Sequence, residues 1–376
     1  MVKEIVRKLA LSICLAALLL PSAGASALST PQQAYLALAR RGVAQTRRWW
    51  NGKLGWYDSR LDDGERYPLA TIWDSVPLFE SLDGLAIASP TAANRQAVAR
   101  FAAGAERYLN RGLKPIPGYS PYPGDREADT ETWFDDNGWW GIAFAEAYRA
   151  TGQRRYLADA QRALRYIATV GWDPEGGGLW WNTDHPYKAG EALASGTLLA
   201  TLLYQETHSG FALSQAERFL EWANTTGFSP ADQLYAGSSI DATPIDYIES
   251  PLIYAQALLC RLTGVKTYCR RAEYLTATAL KRFGGELDFA PQYDAIYLQW
   301  LLALYGLDGN AALYRLAAAN AGNAQARAAN PEGLYLLSWL GTPLPVQDAE
   351  PQMLQTQAAT TSLFSWMAVY PPPPTG

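Results

Sequence analysis

Histidine and cysteine are scarce in this 376-residue chain, and their scarcity excludes several kinds of active site. Its two histidines, His185 and His208, are too few for a multi-histidine zinc site and fit a Ser-His-Asp triad poorly. Cys260 and Cys269 are close in sequence, so we expect either a disulfide or two free buried thiols. The sequence therefore predicts no metal ion and no other cofactor.

Basic clusters and long apolar runs are also few. The net charge is −5 and no block of Lys and Arg occurs, which argues against a nucleic-acid partner. One apolar run, Leu9–Leu20, follows a basic start and precedes small residues, as in a secretory signal peptide. We expect cleavage between Ala25 and Ala27, a secreted or periplasmic location and no membrane contact afterwards. An uncleaved N-terminal anchor is the alternative.

Aromatic residues, in contrast, are abundant. The chain has 14 Trp and 22 Tyr, which is more than the packing of a soluble protein requires. Sugar rings present apolar C–H faces that stack on flat aromatic side chains. We therefore expect a polysaccharide or oligosaccharide partner. We expect the protein itself to be a monomer.

Apolar residues recur at helical spacing along most of the chain. The stretches AYRATGQRRYLADA and LCRLTGVKTYCRRA share a helix, a Thr-Gly turn and a second helix. Such hairpins repeat at roughly 45 to 70 residues, as in repeated helical architectures. We predict an all-α fold, an (α/α)6 toroid of about six hairpins, with an open solenoid as the alternative. The predicted divisions are a signal peptide at 1–27, the toroid at 28–345, and a C-terminal extension with a Pro-rich tail at 346–376.

Long loops rich in Trp, Tyr, Asp, Gly and Pro precede the candidate inner helices. They cover about residues 51–77, 114–136, 172–190 and 229–250. In a toroid these loops meet at one rim. That rim is predicted to form an aromatic, acidic cleft.

Two adjacent aspartates, Asp135 and Asp136, stand in the stretch TWFDDNGWWGIAFAEAY. Capping of the following helix by Asp136 is one interpretation. Binding of a diphosphate through Mg²⁺ requires a third Asp where Trp139 stands, and a calcium loop requires oxygen ligands that Trp139 and Trp140 lack. Hydrolysis of a glycosidic bond by two carboxylates is the fourth interpretation, because adjacent carboxyls couple their titrations and one holds the proton.

The same stretch resembles the Asp-Asp motif of glycoside hydrolase family 76, which includes bacterial endo-α-1,6-mannanases and fungal enzymes that remodel wall mannan. The segment GGGLWWNTDHPYKAGEALASGTLLATLLY resembles a second landmark of that family, and the resemblance runs from about residue 31 to about residue 340. It implies an (α/α)6 barrel and a retaining mechanism, with Asp135 as the nucleophile and Asp136 as the general acid/base. The stretch DYIESPLIYAQALL departs from the Tyr-Asn-Gln-Gly that family members often carry, so the glycan stays open.

Further side chains are candidates for sugar binding, each with a structural alternative such as core packing, a helix start, a loop cap or a solvated charge. They are Trp73, Asp74, Trp181, Asn182, Lys188, Asp241 and Tyr247. The sequence thus favours a secreted retaining hydrolase acting on α-mannan-type polysaccharide, most readily at α-1,6 linkages. A transglycosylase on a related α-glycan and a non-catalytic carbohydrate-binding toroid are the alternatives. A substrate containing uronic acids is disfavoured, because the loops are acidic.

Overall fold

A computed structural model describes residues 28–61, 69–341 and 352–374. The predicted signal peptide, residues 1–27, lies outside the described residues. Within the described ranges, no helix is long and apolar enough to cross a membrane.

Twelve α-helices account for most of the described residues. Their bounds are α1 (Thr30–Gln45), α2 (Ile72–Ala88), α3 (Ala92–Ala105), α4 (Phe134–Thr151), α5 (Arg155–Tyr166), α6 (Gly190–Thr207), α7 (Gly210–Thr225), α8 (Asp246–Thr263), α9 (Lys266–Phe283), α10 (Pro291–Asp308), α11 (Ala311–Arg327) and α12 (Leu354–Val369).

The even-numbered helices form an inner ring. Each packs against the two neighbouring even-numbered helices, and α12 closes the ring by packing against α2. The odd-numbered helices lie outside and contact the inner helices that precede or follow them in the chain. The predicted (α/α)6 toroid is confirmed, and the open solenoid is wrong because first and last inner helices are in contact.

Burial patterns explain which helices lie inside. In the outer helix α5 the buried residues Leu157, Ala160 and Leu164 recur at spacings of three or four, which gives one apolar stripe. In the inner helix α2 nearly every residue is buried. A helix buried on all sides has neighbours on all sides, as in the centre of a ring.

The last inner helix, α12, falls in the segment that we predicted to be a C-terminal extension. It is buried almost throughout and packs against α1, α2 and α10, so the toroid extends beyond the predicted boundary at residue 345. Its sequence contains many Thr, Ser and Gln residues and lacks an apolar stripe. Thr361 and Ser365 satisfy their hydroxyls inside the helix by donating to the carbonyls of Gln357 and Thr361, at 2.7 and 3.1 Å.

Short turns join each inner helix to the next outer helix. Gly152, Gly264 and Gly309 end α4, α8 and α10 in the left-handed region. In the turn after α6, His208 adopts the left-handed conformation, with φ of 51°, and Gly210 begins α7.

Long connections run from each outer helix to the next inner helix. Three of them contain a two-stranded antiparallel hairpin: β1 (Trp50–Asn51) with β2 (Trp56–Tyr57), β3 (Leu109–Asn110) with β4 (Gly118–Tyr119), and β5 (Phe228–Ser229) with β6 (Leu234–Tyr235). The inner helices are all entered from these connections, so their N-termini meet at one rim of the toroid.

Cys260 and Cys269 form a disulfide, with their Cα atoms 5.3 Å apart. It links the last turn of α8 to the first turn of α9. The bond therefore lies at the end of the toroid opposite the rim where the inner helices begin.

Candidate active site

A cleft of about 290 Å³ opens at the rim where the inner helices begin. Aromatic and acidic side chains dominate its wall, and no lysine or arginine is among the described residues that line it. The lining residues are Thr71, Trp73, Pro121, Tyr122, Trp133, Asp135, Asp136, Trp181, Glu191, Tyr247 and Tyr293.

The first turns of the inner helices place side chains in this cleft in a regular way. The second residue of each of α2, α4, α6 and α8 lines it: Trp73, Asp135, Glu191 and Tyr247 respectively. Equivalent positions of helices in a ring point in equivalent directions, so these four side chains converge on the same space.

Asp135 and Asp136 are the second and third residues of α4. The helix begins at Phe134, whose N–H donates to the carbonyl of Trp181 at 2.9 Å. Trp133 occupies the N-cap position and no side chain caps the helix. The capping interpretation placed the helix start at residue 137 with Asp136 as its cap, and the structure contradicts it.

Both aspartates are shielded from solvent to different degrees. Asp136 is 7% exposed, whereas Asp135 is partly exposed in the cleft. The Oδ1 atom of Asp135 is nevertheless buried and accepts no hydrogen bond from the described residues. A buried oxygen without a protein donor at the edge of a cleft is suited to contact a ligand.

Burial and neighbouring carboxyls raise the pKa of both groups. Burial, and then the charge of Asp74, raises the pKa of Asp136 to about 7. Burial, and then the charges of Asp136 and Glu191, raises the pKa of Asp135 well above its usual range. The backbone N–H groups of Asp135 and Asp136 oppose that rise by favouring the charged form. The cleft consequently holds a proton near neutral pH.

Glu191 is a third carboxyl in the cleft. Burial raises its pKa to about 7. Burial, and then the charges of Glu191 and Asp135, raise the pKa values of Tyr187, Tyr247 and Tyr293, that of Tyr187 to about 12. Asp135 and Glu191 therefore lie near the same three tyrosines, while Asp136 interacts with Asp74.

Three of the residues predicted to bind sugar line the cleft. Trp73 and Tyr247 both contact Tyr293, with ring centroids 5.7 and 4.7 Å apart. Trp181 stacks on Tyr187 at 5.3 Å, with ring planes 13° apart. These aromatic side chains and the paired aspartates line the same cleft.

Asp74 and Asn182 lie behind this wall. The Oδ2 atom of Asp74 accepts hydrogen bonds from Ser59 and from the backbone and hydroxyl of Thr71, at 2.9 to 3.0 Å. These bonds make Asp74 part of the capping box of α2. Asn182 is buried and donates to the carboxylate of Glu131, so it holds the loop beside Trp133.

Lys188 and Asp241 are not among the residues that line the cleft. Lys188 forms an ion pair with Asp173, and its ammonium lies 3.2 Å from the centre of the Trp180 ring. Asp241 is exposed in a loop, where its carboxylate accepts from the N–H of Thr243 at 2.9 Å. The loop-cap alternative describes this geometry.

Sequence reasoning did not single out Glu191 or Tyr293. Glu191 stands within the segment that resembles the second landmark of the family, and it occupies the same position in α6 as Asp135 does in α4. That equivalence was a usable signal once the helix starts were known. Tyr293 is the third residue of α10, whose start lacked the long aromatic loop that marked the other inner helices.

The fold and the cleft together define a helical toroid with paired carboxyls in an aromatic rim cleft, an arrangement suited to work on carbohydrates. Comparison with known proteins specifies the class. The sequence model described as Glycosyl hydrolase family 76 matches residues 114–296, which include the Asp-Asp pair and Trp181. Over these residues the chain matches glycosyl hydrolase family 76, and the resemblance predicted from its sequence is confirmed.

Several solved structures share this fold. The GH76 alpha-mannanase of Bacteroides thetaiotaomicron has a TM-score of 0.80 and 19% identity, over 89% of this chain and 95% of that chain. A family 76 glycoside hydrolase (mannosidase) of the same organism gives 0.79 and 18%, over 89% and 98%. An inactive variant of the alpha-1,6-mannanase of Salegentibacter sp. HEL1_6, in complex with alpha-1,6-mannotriose, gives 0.71 and 18%, over 89% and 99%. No curated protein matches the chain.

Proposed function

We propose that this glycoside hydrolase cleaves α-mannan-type polysaccharide, preferentially at α-1,6-mannosidic linkages, and that it retains the anomeric configuration. The observation that supports this most is the position of Asp135 and Asp136 in the first turn of an inner helix, inside an aromatic cleft. The linkage rests on similar folds, among them an alpha-1,6-mannanase in complex with alpha-1,6-mannotriose.

The first step of the proposed mechanism forms a glycosyl-enzyme. The carboxylate of Asp135 attacks the anomeric carbon while Asp136 donates its proton to the departing glycosidic oxygen. A retaining enzyme needs its two carboxyls about 5 Å apart, and consecutive residues at a helix start allow that spacing. The bond from anomeric carbon to leaving oxygen breaks as the ester to Asp135 forms.

The second step releases the sugar. Asp136, now ionised, takes a proton from a water molecule, and the resulting hydroxide attacks the anomeric carbon and displaces Asp135. Two displacements restore the original anomeric configuration. Asp136 regains the proton that it gave away, so the cycle leaves the enzyme unchanged.

The electrostatics of the cleft support a proton shared by the pair. A general acid works best when its pKa lies near the working pH, and burial together with Asp74 raises the pKa of Asp136 to about 7. Burial and the charges of Asp136 and Glu191 also raise the pKa of Asp135, and the backbone N–H groups at the start of α4 oppose that rise. The choice of Asp135 as the nucleophile therefore follows the family resemblance, and charge on Asp135 disfavours the loss of the proton from Asp136.

We also propose that the protein is exported and acts as a monomer outside the cytoplasm. The basic and then apolar character of residues 1–27 supports export. The intact mass of protein recovered from the periplasm or medium is expected to begin near Ser26 or Leu28. A mass that retains Met1 would contradict cleavage.

A reducing-sugar screen over α-mannans and α-glucans tests the proposed activity. The wild type is expected to release reducing ends from α-1,6-mannan, and Asp135→Asn to release none. Asp129→Asn is a matched control, because Asp129 is an exposed aspartate in the loop before α4. Wild-type binding without release would favour the non-catalytic toroid, and release from an α-glucan alone would refute the mannan assignment.

A further inference from the structure

A second pocket adjoins the cleft on the far side of two tyrosines. It has a volume of about 540 Å³ and lies between the loop before α8 and the loop before α10. Tyr247 and Tyr293 line the cleft, whereas their chain neighbours Asp246 and Asp294 line the second pocket. The first turns of α8 and α10 therefore contribute to both spaces, and the centroids of their tyrosine rings lie 4.7 Å apart.

Aromatic rings connect the two spaces. Trp73 and Tyr293 are 5.7 Å apart in the cleft, and Tyr293 stacks on Phe289 at 5.0 Å with ring planes 28° apart. Phe289 lines the second pocket and is 57% exposed. The row Trp73–Tyr293–Phe289 thus leads out of the cleft and into the second pocket.

Polar groups are available on the floor of this pocket. Asp246 and Asp294 are 3% and 1% exposed. Oδ1 of Asp246 accepts from the N–H of Tyr247 at 2.7 Å. The Asp246 and Asp294 carboxyls pair with each other, and the N–H of Phe289 faces Asp294. Burial raises the pKa of both carboxyls, that of Asp246 to about 6. Carboxyls of this kind suit the hydroxyl groups of a neutral ligand.

From this geometry we infer that the pocket lined by Asp246, Phe289 and Asp294 binds a further sugar unit of the same oligosaccharide chain whose scissile bond lies at Asp135. Phe289 supplies the platform for the apolar face of the ring, and the two aspartates accept hydrogen bonds from its hydroxyls. The inference rests on the proposed function. A free metal ion fits less well, since no group of three or more His, Cys, Asp or Glu in the described ranges has metal-binding geometry.

This inference predicts that Phe289 matters only for long chains. Calorimetry on the Asp135→Asn protein, which cannot cleave its ligand, compares α-1,6-mannobiose with α-1,6-mannotetraose. Phe289→Ala is expected to weaken tetraose binding roughly 5- to 10-fold, the size of one aromatic contact, and to leave the biose within about twofold. Asp294→Asn should show the same dependence on chain length.

Phe211→Ala is the matched control. Phe211 is 46% exposed, in the first turn of the outer helix α7 at the opposite end of the toroid. It is expected to change neither affinity. Thermal midpoints of all variants check that the fold is intact.

The outcomes separate this inference from the proposed function. Equal effects of Phe289→Ala on both chain lengths, or no effect, overturn the inference and leave the proposed hydrolase standing. If neither mannan oligosaccharide binds, the linkage assignment fails and the comparison is repeated with short and long chains of the glycan found by the screen. If no glycan in the screen binds, both the inference and the proposed function are refuted.

Discussion

Asp136→Asn is expected to stabilise the protein at neutral and alkaline pH while it removes activity. Asp136 is 7% exposed, and its pKa of about 7 lies well above the 3.8 of an unperturbed aspartate. At pH values between these two pKa values, Asp136 is therefore protonated in the folded protein and ionised in the unfolded chain. The free energy of unfolding therefore falls as pH rises from about 4 to about 7, and above 7 the loss is constant.

The magnitude follows from the width of that pH window. It spans about three pH units, and each unit corresponds to about 1.36 kcal/mol, so the charged carboxylate costs on the order of 4 kcal/mol above pH 7. Coupling to Asp135 spreads part of this cost over the pair, which makes 4 kcal/mol an upper value. Asparagine has nearly the same shape and no charge, and it removes the cost without leaving a cavity.

Urea denaturation at pH 4, 5.5, 7 and 8 measures the effect. Relative to the wild type, the variant should gain up to about 4 kcal/mol at pH 8 and close to nothing at pH 4. Asp129→Asn, at an exposed position in the loop before α4, should change little at any pH. A gain that does not depend on pH, or a loss at pH 8, would refute the electrostatic reasoning.

Three further predictions concern the site and the fold. On a glycan, Asp136→Asn is expected to lose about 10²–10⁴-fold in rate, whereas on an aryl mannoside with a good leaving group it should keep more of the rate of the first step. Asp135→Asn should be inactive on both substrates. Equal, mild effects of the two substitutions would refute the assigned roles. Glu191→Gln removes a charge that raises the pKa of Asp135, so the acidic limb of the kcat/KM profile should move to lower pH, and an unmoved limb would exclude that coupling. Asp136 beside Asp135 on α4, Asp74 on α2, and the tyrosines Tyr187, Tyr247 and Tyr293 are the other titratable groups around these two carboxyls. The double substitution Cys260→Ser and Cys269→Ser removes the disulfide, whose cysteines have a sequence separation of 9. It should lower the free energy of unfolding, measured by urea denaturation, by about 2–3 kcal/mol. An unchanged urea midpoint would mean that the disulfide constrains the unfolded chain little.

The hairpin architecture was predictable because each hairpin is a local pattern. Outer helices such as α5 carry an apolar stripe, and glycines such as Gly152 end the inner helices where the chain must turn. The helix α12 was not recognised, because its contacts are with α1 and α2 at the other end of the chain. Full burial gives such a helix no stripe, and its threonines bond to its own backbone.

The site was predictable where residue type and position act together. Asp135, Asp136, Trp73, Trp181 and Tyr247 lie in the cleft because they begin inner helices or occupy the loops above them.

Charged side chains were harder to place, since the sequence does not state their partners. Lys188 is neutralised by Asp173, and Asp74 is used in a capping box. Glu191 was missed because its importance depends on which residue is the second of α6, a boundary that sequence patterns locate only approximately.

The stereochemistry of the first product tests the central claim most directly. Hydrolysis of α-1,6-mannan oligosaccharide by the wild type is followed by ¹H NMR from the first minutes, before mutarotation mixes the anomers. The paired-aspartate mechanism predicts that the α anomer of the new reducing end appears first and the β anomer later. Initial release of the β anomer would mean a single displacement and would contradict Asp135 as a nucleophile.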